Sequence, residues 1–554
     1  MKNSMKTFLK RIIEKKKFIL EIFVIIIISL YAFSLAPKTF QNDIYYTIPI
    51  GNLIMENGID MKDHFSWHED LPYTYPHWLY DVIMAKIYNL KGWDAVYYSV
   101  CILSIILGIT IYIVNKKLNK NQINSFMITI GSLYMLKSYI TARAQLLTFI
   151  IFMIIIYLIE KFIENPKKLV YGVSIIICST LIANLHVAVW PFLFVLSLPY
   201  IAEGIVGCVA DFIIYRKFNI FLKKFKLKLN KKNKEKTLKI KEELDNIYIS
   251  NEKRKEYREN TESYKIKLDR NKNIKWLFLL MLICAFTGLI TPLGRTPYTY
   301  LYNTMQGNTT KNINEHLPLT LINNTPMMCT LIILISSITF TKVKIKLRDL
   351  FMLGGLCYLM FLSKRQSTMF ILIGSIILNR IITEIIEIYS KEKIGKSLKT
   401  LLIVTICFFT CCYSIICGIK NIKNKKNSSY ISKSSYPVQA ADWILENLDV
   451  NNIKLFNEYN YGSYLLFKGI PVFIDSRADL YAPEFNENDN IFMEFINTSG
   501  IGKYYGSTFE KYGITHIILY KNSKVSMLID KADSEKYNKL YSDDYFVIYE
   551  VVKK

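Results

Sequence analysis

The chain has 554 residues, of which 51% are hydrophobic, and its mean hydropathy is +0.21. This composition excludes an ordinary soluble multidomain protein and indicates a membrane protein. Lys and Arg together number 70 against 45 Asp and Glu, so the formal net charge is +25. The ten cysteines all fall inside apolar runs, so none is placed to form a disulfide in an exported loop or to bind zinc in CxxC pairs.

The first predicted element is an apolar run at 18–36, in which Glu21 is the one charged residue. About 20 residues of helix cross the hydrocarbon core of a bilayer, so this run predicts a membrane span. It is longer than the apolar core of a cleaved signal peptide, about 7–15 residues, and we therefore expect an uncleaved first helix. Ten further apolar runs predict a polytopic α-helical membrane protein with about eleven spans: 96–114, 125–140, 146–163, 169–185, 189–213, 276–291, 327–341, 350–362, 368–388 and 398–419.

Lys and Arg cluster in every second connection between these runs, and the positive-inside rule predicts that those connections are cytoplasmic. The basic N-terminus, 1–17, is predicted to lie on the same side. The tract 216–275 holds 21 basic and 9 acidic residues, and the difference of 12 is about half of the net charge. Because this charge lies beside helix ends, it predicts contact with anionic lipid or a solvated surface, and no nucleic-acid partner.

The connections between these basic clusters are predicted to lie outside the cell, which places the protein in the plasma membrane. The first outer loop, 37–95, has four basic and eight acidic residues, and a second outer loop spans 292–326. The transmembrane domain, 18–419, is followed by 430–554, with 13 basic and 17 acidic residues. This segment predicts a small extracytoplasmic α/β domain with one helix at 438–448 and strands at 454–456, 472–475, 515–520 and 545–552.

Polar and charged residues gather at the predicted outer face of the bundle. Each alone is an ordinary helix-end residue, but five connections that converge on one side can build a binding site. No motif for nucleotide binding, zinc proteolysis or serine hydrolysis occurs in its required context. An enzyme outside the cytoplasm lacks nucleotide-sugars and would draw on a lipid-linked substrate. The outer-face set is Asp43, Asp81, Arg143, Gln145, Asn184, His186, Arg295, Glu315, His316, Lys364 and Arg365.

Several short sequences carry a resemblance to a known family. They are DIYY at 43–46, ENGIDMKDHFSW at 56–67, HWL at 77–79, ANLH at 183–186, TPLG at 291–294, FNEYNYGSYL at 456–465 and FIDSRAD at 473–479. With these sequences the chain resembles integral-membrane glycosyltransferases of the C-type (GT-C) fold, in particular bacterial members with a C-terminal exported domain. The likeness covers nearly the whole chain except the lysine-rich tract.

The resemblance implies a polyprenyl-phosphate sugar donor, an extracytoplasmic acceptor such as a cell-wall polymer, lipid or protein, and an acid of the first outer loop as catalytic base. Asp43 is the candidate base, because a carboxylate can take the proton of an acceptor hydroxyl. Arg365 or Arg143 would grip the phosphate of the lipid. A divalent cation would require Asp43 together with Asp63 or Glu315. The further predicted substrate-binding residues are His186, Asn184, Glu315 and His77.

Two other functions remain open at this stage. A flippase or transporter of a lipid-linked glycan would place polar groups at the membrane midplane on broken helices, whereas here they lie at one face. An inactive scaffold that binds cell-wall glycan is the third interpretation, and it gains from His77, which stands where the family pattern more often has Glu. In the tail, Asp475, Arg477 and Asp479 fit either a buried structural ion pair or glycan binding.

Overall fold

The computed structural model describes residues 2–229, 234–260, 265–269, 271–307, 309–389, 393–487 and 490–552. Parts of the basic tract (230–233, 261–264 and 270) and Lys391 of the last predicted cytoplasmic connection lie outside the described residues. Most of the chain is helical. The helices before the basic tract are α1 (Lys2–Leu35), α2 (Asp43–Asn57), α3 (Trp78–Asn119), α4 (Gln122–Leu136), α5 (Ala144–Glu164), α6 (Leu169–Leu185) and α7 (Phe192–Ile214).

Two helices lie in the basic tract, and the bundle then continues to the start of the C-terminal segment. Short strands β1 (Ile266–Lys267) and β2 (Ile345–Lys346) pair in parallel between the tract and the bundle. The helices of this part are α8 (Lys217–Leu229), α9 (Lys234–Asn260), α10 (Ile274–Ala285), α11 (Thr296–Gln306), α12 (Thr309–Asn312), α13 (Thr325–Phe340), α14 (Leu347–Leu362), α15 (Ser367–Tyr389) and α16 (Lys393–Lys425).

Each of the eleven apolar runs falls on a helix. Within the described residues, six helices are long and apolar enough to cross a membrane, and three shorter helices are apolar. The two other runs fall on α4 and α14, which have 15 and 16 residues. The count of eleven spans therefore stays a prediction. The six long segments are Phe18–Leu35, Trp78–Asn119, Ala144–Glu164, Val187–Ile214, Lys364–Tyr389 and Leu401–Lys425.

Helix α3 is broken near its first third. Lys91 and Gly92 have non-helical dihedral angles, and Gly92 has a φ of 59°, which glycine adopts without steric cost. The residues before the break pack against α2, where a Cβ on Gly51 would lie 2.1 Å from the carbonyl oxygen of Asp81. The first part of α3 is therefore held against α2, and both belong to the region predicted as the first outer loop. The predicted span at 96–114 lies after the break.

The C-terminal segment combines helices with a four-stranded sheet of order β3-β4-β6-β5, in which only β3 and β4 are parallel. Three predicted strands are present, and β5 was not predicted because its sequence is mostly polar. The predicted strand at 472–475 is absent. The elements of the C-terminal segment are α17 (Val438–Asn447), β3 (Leu455–Phe456), α18 (Tyr459–Phe467), α19 (Pro483–Asn486), α20 (Ile491–Gly500), α21 (Tyr505–Tyr512), β4 (His516–Tyr520), α22 (Lys524–Ala532), β5 (Tyr537–Ser542) and β6 (Phe546–Val551).

The segment predicted as a strand at 472–475 is held by a side chain instead of a ladder. The amide of Asn457 accepts a hydrogen bond from the Phe473 N–H at 2.8 Å and donates to the Ile474 carbonyl at 2.6 Å. These contacts take the backbone groups that a neighbouring strand would use. Val472 also forms an isolated parallel bridge with Ser66 of the first outer loop.

A buried ion cluster, the loop clasp (Asp63, Asp475 and Arg477), ties the C-terminal segment to the first outer loop. Arg477 donates to Asp475 at 2.6–3.1 Å through Nε and Nη2 and to Asp63 at 2.5 Å through Nη1. The Tyr481 hydroxyl adds a bond of 2.6 Å to Asp475, and the Ser66 hydroxyl one of 2.6 Å to Asp63. The clasp matches the structural ion-pair interpretation of Asp475 and Arg477.

Candidate active site

One large cavity collects most of the polar residues that the sequence places at the predicted outer face. Its volume is about 1130 Å³. Its walls come from α2, the loop before α3, the start of α5, the turn between α6 and α7, the loop after α12, the turn before α15 and the C-terminal segment. The predicted site residues among its lining are Asp43, His77, Arg143, His186, Glu315 and Arg365.

Four of these residues form a chain of alternating charge. The Arg143 Nε lies 2.7 Å from Asp43 Oδ2, and its Nη1 donates to Glu315 Oε2 at 2.9 Å. The other oxygen of Glu315, Oε1, lies 3.7 Å from Arg365 Nη1. The four side chains keep 23–31% of their surface exposed, so each remains accessible from the cavity.

Backbone contacts fix the loop that carries Glu315. The backbone N–H of Arg365 donates to the carbonyl of Glu315 at 3.0 Å, and that of Lys364 donates to Leu317 at 2.9 Å. The Ser363 hydroxyl lies 3.4 Å from the same Glu315 carbonyl. The backbones of two connections predicted separately from the sequence are therefore joined, and their charged side chains meet as a consequence.

Burial and the two arginines together set the protonation of Glu315 and His316. Burial opposes the charge of Glu315, but Arg365 and Arg143 outweigh burial and lower its pKa to about 2. Burial and then Arg365 lower the pKa of His316 to about 4. At neutral pH Glu315 is therefore an anion and His316 an uncharged imidazole.

A pair of histidines lines the cavity beside the arginines. The rings of His77 and His186 have centroids 4.9 Å apart, and the Nδ1 of His186 is buried without a hydrogen-bond partner. Burial, followed by Arg365 and Arg143, lowers the pKa of His77 to about 3. Burial and then His77 push the pKa of His186 well below its ordinary value. Both imidazoles are neutral at pH 7 and can exchange hydrogen bonds with uncharged hydroxyl groups.

The cavity also has many apolar lining residues, and some of these are exposed at the surface of the protein. Val195, Met305 and Leu362 line it and are exposed, with 38%, 71% and 52% of their surface accessible. Charged and apolar lining residues in one cavity suit an amphiphile with an anionic head and a hydrocarbon tail. The apolar lining also includes Phe149, Phe152, Phe192, Leu301, Leu359 and Met369.

The C-terminal segment supplies lining residues that sequence reasoning did not place in the site. Tyr459 and Asp479 reach the cavity, and the Asp479 carboxylate accepts a hydrogen bond from the hydroxyl of Tyr300 on α11. Burial raises the pKa of Asp479 against the effect of that bond. The one available signal was the family resemblance of the sequences at 456–465 and 473–479, which is as extensive as that of the first loop.

Two predicted residues lie elsewhere. Asn184 is not among the residues that line the cavity: its amide oxygen accepts from Trp78 Nε1 at 3.1 Å, and its nitrogen donates to the carbonyls of Ile290 and Thr180. These bonds give it a helix-joining role. Asp63 belongs to the loop clasp, where its side chain is fully buried against Arg477.

The predicted cation site of Asp43, Asp63 and Glu315 is not assembled. Asp63 is bound to Arg477, while Asp43 and Glu315 are both paired with Arg143. Across the described part of the chain, no group of three or more His, Cys, Asp or Glu is arranged to hold a metal ion. The donor set found here therefore does not fit a divalent cation.

A second ion cluster lies apart from the cavity and was not predicted. Arg380 of α15 holds Asp349 of α14 with two bonds of 2.5 and 2.7 Å and lies 3.4 Å from Glu160 of α5. Arg348 donates to Glu160 at 3.1 Å and lies 3.6 Å from Asp269 of the basic tract. The cluster joins α5, α14 and α15 and fastens the end of the tract to them, which is a structural role.

Comparison with solved structures identifies the fold. The oligosaccharyltransferase of Archaeoglobus fulgidus, solved with a tethered acceptor peptide that contains an NVT sequon, matches 96% of this chain and 74% of its own with a TM-score of 0.53 at 12% identity. The same organism's AglB, solved with an inhibitory peptide and a dolichol-phosphate, matches 97% of this chain and 75% of its own with a TM-score of 0.52 at 11% identity. ArnT from Cupriavidus metallidurans, bound to undecaprenyl phosphate, matches 97% of this chain and 98% of its own with a TM-score of 0.48 at 8% identity.

No family model matches the sequence, and no curated protein matches it. The chain is a multi-pass membrane protein with the fold of the GT-C glycosyltransferases, so the resemblance found in the sequence is confirmed at the level of the fold. At 11–12% identity the likeness to the archaeal enzyme establishes this architecture and no further property.

Proposed function

We propose that the protein transfers a sugar from a polyprenyl-phosphate carrier to an acceptor outside the cytoplasm. The observation that carries this proposal is the cavity in which Asp43, Arg143, Glu315 and Arg365 meet and whose lining also includes exposed apolar side chains. The charged residues suit the phosphate of a lipid donor, and the apolar lining suits its hydrocarbon tail. A cell-wall polymer, lipid or protein would bring the acceptor hydroxyl.

In the proposed reaction, the acceptor oxygen forms a bond to the anomeric carbon while the bond from that carbon to the phosphate oxygen breaks. The Asp43 carboxylate takes the acceptor proton as general base. Arg143 and Arg365 stabilise the negative charge that develops on the departing polyprenyl phosphate. His77 and His186 offer neutral hydrogen-bonding groups to sugar hydroxyls. The products are the glycosylated acceptor and free polyprenyl phosphate.

The direct test is a reconstitution. The purified protein in lipid nanodiscs is incubated with polyprenyl-phosphate sugars, one sugar at a time, and with cell-envelope acceptor fractions, and products are identified by mass spectrometry. The proposal expects glycosylated acceptor and released polyprenyl phosphate in equal amounts. A donor that binds but is never consumed, with any sugar or acceptor, would contradict the proposal and favour the transporter or the glycan-binding scaffold.

Replacement of Arg365 tests the phosphate contact. We expect Arg365→Ala to weaken donor binding by about ten- to a hundredfold, because a hydrogen bond to a charged group is lost. Arg365→Lys should lose less, since a point charge survives while the planar two-pronged donor does not. Isothermal titration with polyprenyl phosphate measures both. Arg295→Ala is the control, because Arg295 is an exposed arginine of the same outer face that does not line the cavity.

We also propose a cytoplasmic N-terminus and an extracytoplasmic C-terminal segment in the plasma membrane, from the alternation of basic connections. A reporter that is active only in the cytoplasm is therefore expected to be silent when fused after Lys554 and active when fused before Met1. A periplasm- or surface-active reporter should give the opposite pattern. Cytoplasmic activity of the C-terminal fusion would place the cavity on the wrong side for an extracytoplasmic acceptor.

A further inference from the structure

The carboxylate of Glu315 lies between two guanidinium groups. Its Oε2 accepts from Arg143 at 2.9 Å, and its Oε1 lies 3.7 Å from Arg365. Each oxygen therefore faces a different arginine. In the proposed function these are the two groups that hold the donor phosphate, so a side chain of the protein occupies the position between them.

The charges of the four paired residues already balance. Arg143 and Arg365 contribute two positive charges, and Asp43 and Glu315 contribute two negative charges. The nearby imidazoles add none at neutral pH, because the pKa values of His77 and His316 lie at about 3 and 4. Within this group of four, both guanidinium groups are already paired, and an anionic donor can take their place beside the arginines only when one carboxylate moves away. Lys364 also lines the cavity, where its Nζ donates to Asn314 Oδ1 at 2.9 Å.

A sugar phosphodiester matches a carboxylate in the two properties that matter here. Each carries one negative charge, and each presents two free oxygens that accept hydrogen bonds from arginine. We propose that Glu315 is a placeholder for the donor phosphate: it keeps the two arginines in position while the site is empty, and the incoming phosphodiester displaces it. This inference rests on the proposed function and concerns how its phosphate site is filled.

The surrounding contacts allow such an exchange without refolding of the loop. The carbonyl of Glu315 is held by the backbone N–H of Arg365 at 3.0 Å, so the main chain stays fixed. The side chain keeps 31% of its surface exposed to the cavity, and it can rotate about its own bonds. Only the carboxylate needs to leave the space between the arginines.

The placeholder also acts after sugar transfer. The product is a phosphate monoester, which carries about half a charge to one charge more than the donor phosphodiester at pH 7. Two arginines would retain such a product strongly. The return of Glu315 competes for the same guanidinium groups and so assists the release of the spent carrier.

The test is the affinity of the intact protein in nanodiscs for undecaprenyl phosphate, with undecaprenol as the uncharged probe. We expect Glu315→Gln to bind undecaprenyl phosphate about tenfold more tightly than the wild type, because the amide keeps the size but no longer competes as an anion. Glu315→Asp retains the charge and should bind undecaprenyl phosphate more weakly than Glu315→Gln does. Glu56→Gln, which neutralises an exposed carboxylate near the end of α2 and outside the cavity, is the control for charge.

The outcomes separate two failures. If the wild type binds undecaprenyl phosphate no better than undecaprenol, the phosphate site itself is absent and the proposed function fails. If the wild type prefers the phosphate but Glu315→Gln binds it equally or more weakly, the placeholder inference fails while the proposed function stands. Thermal melting of each variant shows whether folding is intact, and Glu315→Asp supplies a second comparison where the amide variant is unstable.

Discussion

Asp43→Asn is expected to abolish most sugar transfer, lowering kcat by about 10²- to 10⁴-fold, because the amide keeps the shape of the carboxylate but cannot accept the acceptor proton. Asp43 lies in the cavity and is paired with Arg143 at 2.7 Å. Donor binding should survive, since the arginines remain. Single-turnover transfer and polyprenyl-phosphate affinity, measured on the same preparation, separate the two effects.

Asp70→Asn is the control for this substitution. Asp70 lies on the same outer loop, is exposed and has a φ of 53°, a conformation that Asn tolerates well. The turnover of the Asp70→Asn variant should equal that of the wild type. Full activity of Asp43→Asn would remove Asp43 as the base, and Glu315→Gln and Asp479→Asn would then be measured as the remaining acids of the cavity.

Arg477→Ala is expected to give the largest loss of stability in the C-terminal segment, about 3–5 kcal/mol, because it leaves two buried carboxylates without their cation. The side chains of Asp63 and Asp475 have no exposed surface, and that of Arg477 has 2%. Thermal melting of the purified protein measures the effect. Lys468→Ala breaks a half-exposed ion pair with Asp442 in the same segment and should cost at most about 1 kcal/mol. Equal melting temperatures for the two variants would contradict a structural role of the loop clasp.

The same cluster predicts a dependence of stability on acid. Burial acts against the charge of Asp63, but Arg477 and the Ser66 bonds outweigh it and lower its pKa below the ordinary value. A depressed folded pKa means that the stabilisation is complete above the unfolded pKa of about 3.9 and is lost as the pH falls through the lower folded value. Melting curves between pH 6 and 3 should show this loss in the wild type and a smaller change in Asp63→Asn.

The sequence predicted what depends on local pattern. Apolar runs located the helices, because hydropathy over about 20 residues is a property of the segment itself. Charge counts placed five connections with polar residues at one face of the bundle. All five contribute residues to the lining of the cavity. The number of spans is less secure, since runs of 15 or 16 residues such as α4 and α14 are too short to show by length alone whether they cross a bilayer.

The sequence did not predict the pairing of distant side chains. Arg143 and Glu315 are 172 positions apart, and nothing in either segment indicates that their side chains pair. Asn184 fitted a binding role equally well by residue type, yet its amide is occupied by Trp78 and backbone carbonyls. Asp479 was predicted to belong to a separate exported domain, but it lines the cavity. Composition and strand patterns indicate how a segment folds by itself, and they do not indicate which surface it packs against.

The loop clasp has a consequence for biosynthesis. Asp63 and Arg477 are 414 positions apart in the chain, so the first outer loop is made long before its partner. At 5–20 residues per second, translation leaves Asp63 without its partner Arg477 for about 20–80 s. Throughout that interval, the contacts of the first loop with Arg477 and its bridge to Val472 are not yet formed. The first loop can therefore reach its final structure only after the last quarter of the chain has been made.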